Sequence, residues 1–385
     1  MIFTSTISPS LKSGLRFLSV WPDVPYAAVF RLIYMLFILV VQYFQYLYVF
    51  AHFKLSELQD LVDSLPPTLD SSLTIMKLVT LWKNRRVVSD ILTSMDTDWR
   101  ECVKVDQHLD TMTEKASVSH FCSNALLSFN TFVAVLYYVS DYTLAVMHFA
   151  KDDNDTSRPF PMKILFPFEA EQSPIYELLV VVLFLHAMLN VYTLTTLNAL
   201  IITLVLHASG QIDIICQEFQ TTSEKASYHG SSEGIGMLIE KHNRIITFSE
   251  NLDELFSFMA LMQIFWNTLV ICSLGLLIIT SVHNEASVGL VRTIFAYGAI
   301  MMEIFIFCFA GEYLSLKSRS LADAAYDSLW YNMSSSQGKN ILFVIMRSQK
   351  QLTITAGGIT NLSLEAFTNI MKASASYVSV LNAMY

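Results

Sequence analysis

The chain has 385 residues, of which 53% are apolar and only 15% are charged. Soluble domains carry about 25% charged residues, so this composition is typical of a membrane protein and argues against a soluble one. The formal net charge of −9 comes without any stripe of basic residues, which argues against a nucleic-acid partner.

The first predicted span, residues 27–50, follows a mixed segment that contains Lys12 and Arg16. Its apolar run is longer than the roughly 7–15 residues of a secretory signal core, so we expect an uncleaved signal anchor. The second span, residues 68–88, is weaker, because it begins after Pro66 and Pro67 and contains Lys77. An isolated helix of the soluble type is the alternative interpretation of this segment.

Four further apolar runs are long enough to cross a bilayer, which takes about 20 residues. They are residues 126–147, 175–206, 256–282 and 290–314. A seventh run occupies residues 363–385, where Ser, Asn, Tyr and Lys interrupt the apolar residues. This mixture favours a helix that faces protein on one side and water on the other, so we predict that 363–385 is a pore helix.

The distribution of Lys and Arg between the predicted spans sets the orientation, because cytoplasmic loops carry the excess of these residues. With the N-terminus inside, sixteen of them lie in inner segments and only four, Lys54, Lys151, Arg158 and Lys163, lie in outer segments. Omitting the weak second span would move every later loop to the opposite side of the membrane, and the excess of Lys and Arg on the inner side would be lost. We therefore predict an all-α integral membrane protein with seven transmembrane helices, a cytoplasmic N-terminus and an extracellular C-terminus.

Two inner segments, residues 207–255 and 315–362, are too long to be simple loops. The second half of the first one places its apolar side chains on one broad helical face. We expect these helices to continue the membrane spans and to pack together below the bilayer as a cytoplasmic anchor, and we expect residues 88–121 to be helical as well. His242 lies on the apolar face, where we expect a hydrogen-bonded packing role. We therefore expect residues 1–385 to form a single seven-helix unit without a separate soluble domain.

Ionisable groups inside a membrane span are costly and usually face a partner or a cavity, and four of those in the predicted spans are of particular interest. Asp141 lies near the outer end of its span, and Lys77 is able to extend its amine towards the membrane surface. Glu303 and Lys372 lie deeper in their spans. Each of these two is expected either to hydrogen-bond within the bundle or to face a water-filled pathway.

The outer loop after the third span contains the N-glycosylation sequon Asn154-Asp155-Thr156, so we predict glycosylation at Asn154. No phosphate-binding loop, nucleophile elbow or zinc-type spacing of Cys and His occurs in the sequence. The sequence therefore predicts no enzyme activity, no cofactor and no metal site.

Two stretches carry a family resemblance. The first reads EKHNRII at 240–246, NLDELFS at 251–257 and QIF at 263–265. The second reads SLADAAYDSLWY at 320–331, MRSQ at 346–349 and LTITAG at 352–357. In this order and spacing the chain resembles the insect odorant receptors along essentially its whole length. One departure is Gln351, where members of the family often carry proline.

The resemblance implies a tetrameric, ligand-gated, non-selective cation channel in the plasma membrane of olfactory neuron dendrites. Each odorant-binding subunit of such a channel assembles with a common odorant co-receptor and contacts membrane lipids. The seventh span lines the pore, and the cytoplasmic helices form the anchor between subunits. A small volatile odorant enters a pocket in the outer half of the subunit, bounded by the second, third, fourth and sixth spans.

The resemblance also assigns residues. Aligned with the terminal motif of the family, Val380 and Met384 fall at a narrow apolar ring, with Tyr377 in the same pore segment. Val380 and Met384 are spaced i, i+4 on one helical face, and an apolar ring can gate by dewetting. Helical spacing in the outer halves of the spans suggests these ligand contacts: Met76, Thr80, Val135, Tyr138, Tyr142, Leu179, Leu183, Tyr297 and Met301.

Three other protein classes fit the sequence less well. A G-protein-coupled receptor has an outer N-terminus and an Asp-Arg-Tyr motif after its third span, which is absent here. An insect gustatory receptor is a related channel that needs no co-receptor, but its terminal Thr-Tyr…Gln-Phe signature is absent as well. A secondary transporter calls for inverted repeats and helices broken by Gly or Pro, whereas the spans after the second contain no internal Pro.

Overall fold

The computed structural model describes residues 5–21, 26–53, 58–151, 160–229, 233–283 and 287–384. In this part of the chain we find ten α-helices, one 3-10 turn at Trp330–Asn332 and a two-stranded antiparallel hairpin. The helices are α1 (Pro9–Phe17), α2 (Ala27–Ala51), α3 (Leu58–Lys83), α4 (Arg85–Cys102), α5 (Asp106–Lys151), α6 (Ile175–His229), α7 (Glu233–His283), α8 (Ser287–Asp327), α9 (Ser335–Ser348) and α10 (Leu364–Met384). The strands of the hairpin are β1 (Thr355–Ala356) and β2 (Thr360–Asn361).

Five of the predicted spans coincide with helices that are long and apolar enough to cross a membrane. These helices are α2, α5, α6, α7 and α8, so the chain is a predominantly helical, multi-pass membrane protein. Helices α3 and α10 occupy the positions of the two remaining predicted spans, but over the described residues they are not among the helices that are long and apolar enough to cross a membrane.

The predicted boundaries of the second span were wrong at both ends. Helix α3 already includes residues 58–67 and ends at Lys83, while Val88 belongs to α4. Pro66 and Pro67 lie inside α3, although each lacks the N–H that an interior helical position normally donates. Hydroxyl groups of the surrounding turns donate to backbone carbonyls, as Ser64 does to Leu61 and Thr68 does to Ser64.

The long helices extend well beyond the thickness of a bilayer, as predicted. Helix α6 has 55 residues, which at about 1.5 Å per residue is roughly 80 Å, against about 30 Å of hydrocarbon core. Helices α7 and α8 also continue from their predicted spans into the predicted anchor segments. The expected helical run 88–121 is divided, however, because α4 ends at Cys102 and α5 begins at Asp106.

An apolar core holds these extensions together with the short N-terminal helix. Its buried members come from α1, α2, α3, α4, α6, α7, α8 and α9 and from the segment around the hairpin, and include Leu15, Ile212, Leu252, Leu314 and Ile345. Within this region His242 is buried and its Nε2 lies 3.2 Å from the Ser348 hydroxyl. The predicted packing role of His242 is therefore confirmed.

Ion pairs surround this core on its solvent side. Arg244 of α7 donates two hydrogen bonds to the Glu101 carboxylate of α4, at 3.0 and 2.7 Å. These bonds from Arg244 lower the pKa of Glu101. On α6, Asp213 accepts hydrogen bonds from Lys317 of α8 at 2.6 Å and lies 3.2 Å from Lys115 of α5. The pairs therefore join α4 to α7 and α5 to α6 and α8.

The second anchor segment, residues 315–362, is not wholly helical as predicted, because it ends in the hairpin. Gly357 and Gly358 have φ of +62° and +69°, and a type I′ turn needs positive φ at both central residues. The hairpin docks on α7, where the Asp253 carboxylate accepts from the backbone N–H of Thr355 at 2.6 Å. It thereby fixes the point at which α10 begins.

The entry to α10 is packed closely against α8. A Cβ atom on Gly311 would lie 2.5 Å from the backbone oxygen of Leu362, whereas real Cβ atoms essentially never come closer than 3.0 Å. Leu362 is itself buried. The absence of a side chain at Gly311 is therefore what allows the two segments to touch.

We predict that Gly311→Ala lowers the thermal unfolding midpoint of the purified protein, because overpacking a close contact costs about 1–3 kcal/mol. Gly298→Ala is the matched control, since Gly298 lies on the same helix and a Cβ there meets no atom within 4 Å. The control should retain or slightly raise the midpoint, given the helix propensity of alanine. Equal midpoints for the two variants would contradict the close contact.

Candidate functional site

A cavity of about 160 Å³ lies inside the helical bundle. Its walls come from α3, α5, α6, α7 and α8, together with Met162 of the segment before α6. Most of the lining is apolar, as is usual for small-molecule sites with a few polar groups for orientation. The polar side chains on the wall are those of Asp70, Ser71, Asn130, Tyr137, Tyr138, His186, Asn190, Thr195 and Glu303.

One polar side of the cavity is built where α3 meets α6. Asn190 Nδ2 donates to Asp70 Oδ2 at 3.3 Å and to the Ser71 hydroxyl oxygen at 3.2 Å. The Ser71 hydroxyl in turn donates to the carbonyl of Pro67. The buried Oδ1 of the same amide has no hydrogen-bond partner among the described residues.

A second carboxylate, Glu303 of α8, lies on the wall and is buried. Asn198 Nδ2 of α6 donates to its Oε1 at 3.3 Å, and Asn267 Nδ2 of α7 donates to its Oε2 at 3.2 Å. Of the two expectations for Glu303, hydrogen bonding within the bundle is the one that the structure shows. Each carboxylate oxygen already has an amide donor.

Lys77 of α3 completes a cluster of buried charges. Its side chain is only 1% exposed, so the expectation that its amine reaches the membrane surface was wrong. Within the part of the chain that the structure describes, Lys77 Nζ has no hydrogen-bond partner and lies 5.3 Å from the centre of the Phe307 ring. Its charge interacts with those of Glu303 and Asp70. Opposite charges nearby reduce the cost of burying an ion in an apolar interior.

His186 of α6 was not predicted as a site residue, because nine scattered histidines gave no motif. Its side chain lines the cavity and is 1% exposed. Neither ring nitrogen has a hydrogen-bond partner among the described residues. Buried polar groups are nearly always hydrogen-bonded, so an unpartnered imidazole on a cavity wall indicates a place for a ligand group.

Of the nine predicted ligand contacts, Tyr138 of α5 lies on the cavity wall. Its hydroxyl donates to the carbonyl of Val180, and its ring packs edge-on against Phe184 with centroids 5.0 Å apart. Leu183 is buried in the same apolar cluster. The hydrogen bond fixes the ring of Tyr138 at the boundary between α5 and α6.

The other predicted contacts lie away from the described cavity lining. Tyr297 and Met301 pack in an apolar cluster with Ile304 of α8 and with Phe367 and Met371 of α10. The remaining residues lie elsewhere on their helices: Thr80 hydrogen-bonds to the carbonyl of Met76, Leu179 is half-buried, and Val135 and Tyr142 are exposed. For all of these, contact with a ligand remains a prediction.

Helix α10 has one packed face and one exposed face. Its packed face includes Phe367, Ile370 and Met371, and further along Val378 contacts Gly275 of α7, where a Cβ would lie 2.8 Å from Val378 Cγ2. The exposed face combines polar and apolar side chains, namely Glu365, Asn369, Lys372, Ser376, Tyr377 and Val380. Met384 is at the end of the helix, but its side chain lies outside the described residues, as does the whole of Asn154.

Comparisons with known proteins agree on one family. Residues 57–375 match the family model described as 7tm Odorant receptor. The chain is 25% identical to odorant receptor 13a of Drosophila melanogaster over 297 residues, which are 71% of this chain and 70% of that protein. It is 23% identical to odorant receptor 10 of Aedes albopictus over 323 residues, 81% of each chain.

The fold is also that of a solved structure. The insect olfactory receptor OR5 from Machilis hrabei, in complex with eugenol, superimposes with a TM-score of 0.81 over 97% of each chain, at 13% sequence identity. The family match covers most of the chain, and the fold of a solved insect olfactory receptor extends over nearly all of it. This chain therefore belongs to the odorant receptor family of insects.

Proposed function

We propose that this chain is the odorant-binding subunit of a ligand-gated, non-selective cation channel that insect olfactory neurons assemble with the odorant co-receptor. The observation that carries the proposal is that one stretch of α8 borders both the cavity and the terminal helix. Ile300 lines the cavity and also packs in the apolar cluster that contains Phe367 of α10. A ligand in the cavity and a pore helix would therefore share one structural element.

The cavity supports the binding of a small volatile molecule. An apolar cavity of about 150 Å³ in another protein is large enough for benzene, and this one has a volume of about 160 Å³. The related olfactory receptor OR5 was solved with eugenol, a small aromatic molecule. A ligand of similar or smaller size would make mainly apolar and aromatic contacts here, with a few polar groups to orient it.

Aromatic side chains provide a route from the cavity to α10. On α8, Phe305 lies two residues after Glu303 of the cavity wall, and its ring meets that of Phe367 edge-on, with centroids 5.7 Å apart. Helices pack as rigid bodies that move between discrete arrangements. A shift of α8 on ligand binding would therefore displace α10 through this contact and the apolar cluster around it.

The exposed face of α10 supports a role as pore wall. Lys372 and Ser376 are exposed on this face, and Val380 is 58% exposed in the single subunit. Four such helices around a central axis would give a pore with polar groups along it and an apolar constriction at Val380 and Met384, which closes by dewetting. We include Tyr377 in this pore segment.

In this proposal the chain spans the plasma membrane of the olfactory dendrite seven times, with α3 and α10 as the second and seventh spans. The cytoplasmic N-terminus and extracellular C-terminus rest on the distribution of Lys and Arg. The bundle of helical extensions, with its ion pairs between α4, α5, α6, α7 and α8, would then be the cytoplasmic anchor between subunits.

The orientation predicts which epitope tags antibodies can reach. A tag added after Tyr385 should be labelled on intact cells, whereas a tag added before Met1 should be labelled only after permeabilisation. Each tagged protein serves as the control for the other, since both carry the same chain. Labelling of the N-terminal tag on intact cells would contradict the orientation and with it the seven-span count.

Dependence on a partner distinguishes this proposal from a gustatory-type channel that needs no co-receptor. Cells that express the chain alone should give little or no odorant-evoked current, and cells that express it with the co-receptor should conduct cations. Surface labelling of the chain in both conditions provides the control for expression. Robust current from the chain alone would favour the gustatory-type alternative.

Pore and pocket variants should affect different properties of the current. Val380→Asp should raise the basal current, because a charge holds water in a constriction that an apolar ring keeps dry. Val380→Leu keeps the ring apolar and serves as the matched control. Neither variant should change the order in which odorants activate the channel, whereas Tyr138→Phe should change that order without changing the basal current.

The measurement is whole-cell current at equal surface expression, before and after an odorant panel. An unchanged basal current in Val380→Asp would show that Val380 does not line the pore. A change in odorant order from the pore variants, or none from Tyr138→Phe, would show that the pocket has been placed incorrectly.

A further inference from the structure

The cavity wall has an unusual excess of hydrogen-bond acceptors that lack donors. Asp70 is only half-buried, and its carboxylate is on the cavity wall. Asn190 Oδ1 is buried and has no hydrogen-bond partner among the described residues, whereas Nδ2 of the same amide donates to Asp70 and Ser71. On the same wall, the two buried ring nitrogens of His186 likewise have no partner in the part of the chain that the structure describes. In its neutral form one of these nitrogens is an acceptor.

Two carboxyl groups and one amine lie at or beside this wall. Asp70 and Glu303 would carry two negative charges if both were ionised, and Lys77 would carry one positive charge. Glu303 already receives amide hydrogen bonds at both oxygens, so Asp70 is the carboxylate with capacity for a further donor. An uncompensated negative charge in an apolar interior favours the binding of a cation.

We propose that the cavity selects compact amines, whose ammonium group donates to Asp70, Asn190 Oδ1 and His186. This inference rests on the proposed odorant-binding function and names the chemical class of the ligand. An ammonium group has three N–H donors, which match the three acceptors in number. Together with Lys77, it would provide one positive charge for each of the carboxyl groups of Asp70 and Glu303.

The remainder of the cavity fits the apolar body of such a ligand. The volume of about 160 Å³ admits a single six-membered ring, since benzene occupies a cavity of about 150 Å³ in another protein. An alcohol of the same shape offers one donor and no charge, and a hydrocarbon offers neither.

The test uses three probes of nearly the same shape: cyclohexylamine, cyclohexanol and methylcyclohexane. In cells that express the chain with the co-receptor, cyclohexylamine should activate at the lowest concentration, by about tenfold or more relative to methylcyclohexane. Asp70→Asn keeps the shape of the side chain and removes its charge. It should raise the half-maximal concentration for cyclohexylamine by about tenfold, with a smaller change for cyclohexanol.

Asp96→Asn is the matched control, because Asp96 is an exposed carboxylate on α4 that pairs with Arg100. This variant should leave the response to all three probes unchanged. If Asp70→Asn does not reach the cell surface, the order in which the three probes activate the unmodified chain is the test. Activation by cyclohexanol or methylcyclohexane at concentrations equal to or below that of cyclohexylamine would overturn the inference.

Thermal stabilisation of the purified complex separates ligand binding from channel opening. Cyclohexylamine should raise the unfolding midpoint of the complex, and the Asp70→Asn complex should lose this shift. If the amine stabilises the complex but no probe or odorant evokes current, the ligand class stands and the proposed channel function is wrong. If other odorants evoke current while the amine neither stabilises nor activates, the ligand class is wrong and the channel function stands.

Discussion

Three ionisable side chains inside an apolar bundle impose the constraint on which the rest of the structure depends. Lys77 and Asp70 come from α3, Glu303 comes from α8, and amide groups of α6 and α7 hydrogen-bond to the two carboxylates. Because buried charges are costly without partners, these four helices must keep a fixed mutual position. The same arrangement leaves the cavity beside the charges, with Asp70 and Glu303 on its wall.

Helix α8 connects this polar interior to the periphery of the subunit. One part of it reaches the cavity through Ile300 and Glu303, and the aromatic ring of Phe305 contacts Phe367 of α10. Further along α8, Gly311 permits the close approach of Leu362, and after residue 314 the helix enters the predicted anchor segment. The helix therefore contacts the cavity, α10 and the predicted anchor, and in the proposed mechanism a movement at the cavity would displace α10.

Apolar runs in the sequence were enough to locate the helices, because hydrophobic length is a strong and local signal. They could not set which face of a helix points inwards, since every face of a membrane helix is apolar. Tyr138 and Val135 are an example, because both are predicted ligand contacts. Tyr138 lies on the cavity wall, whereas Val135, one turn earlier on the same helix, is exposed. The sequence does not indicate His186, because its burial without a hydrogen-bond partner among the described residues depends on how the helices pack. The sequence also places Val88 in the second span, because no local signal marks the break after Lys83.

The most direct test of the link between cavity and pore is a structure of this chain with the co-receptor and an activating odorant. Ligand density should lie between Asp70, His186 and Tyr138, and the exposed face of α10 should line the central axis, with Val380 at its narrowest part. Density at another site, or an α10 whose polar face meets lipid while a different helix lines the pore, would contradict the link.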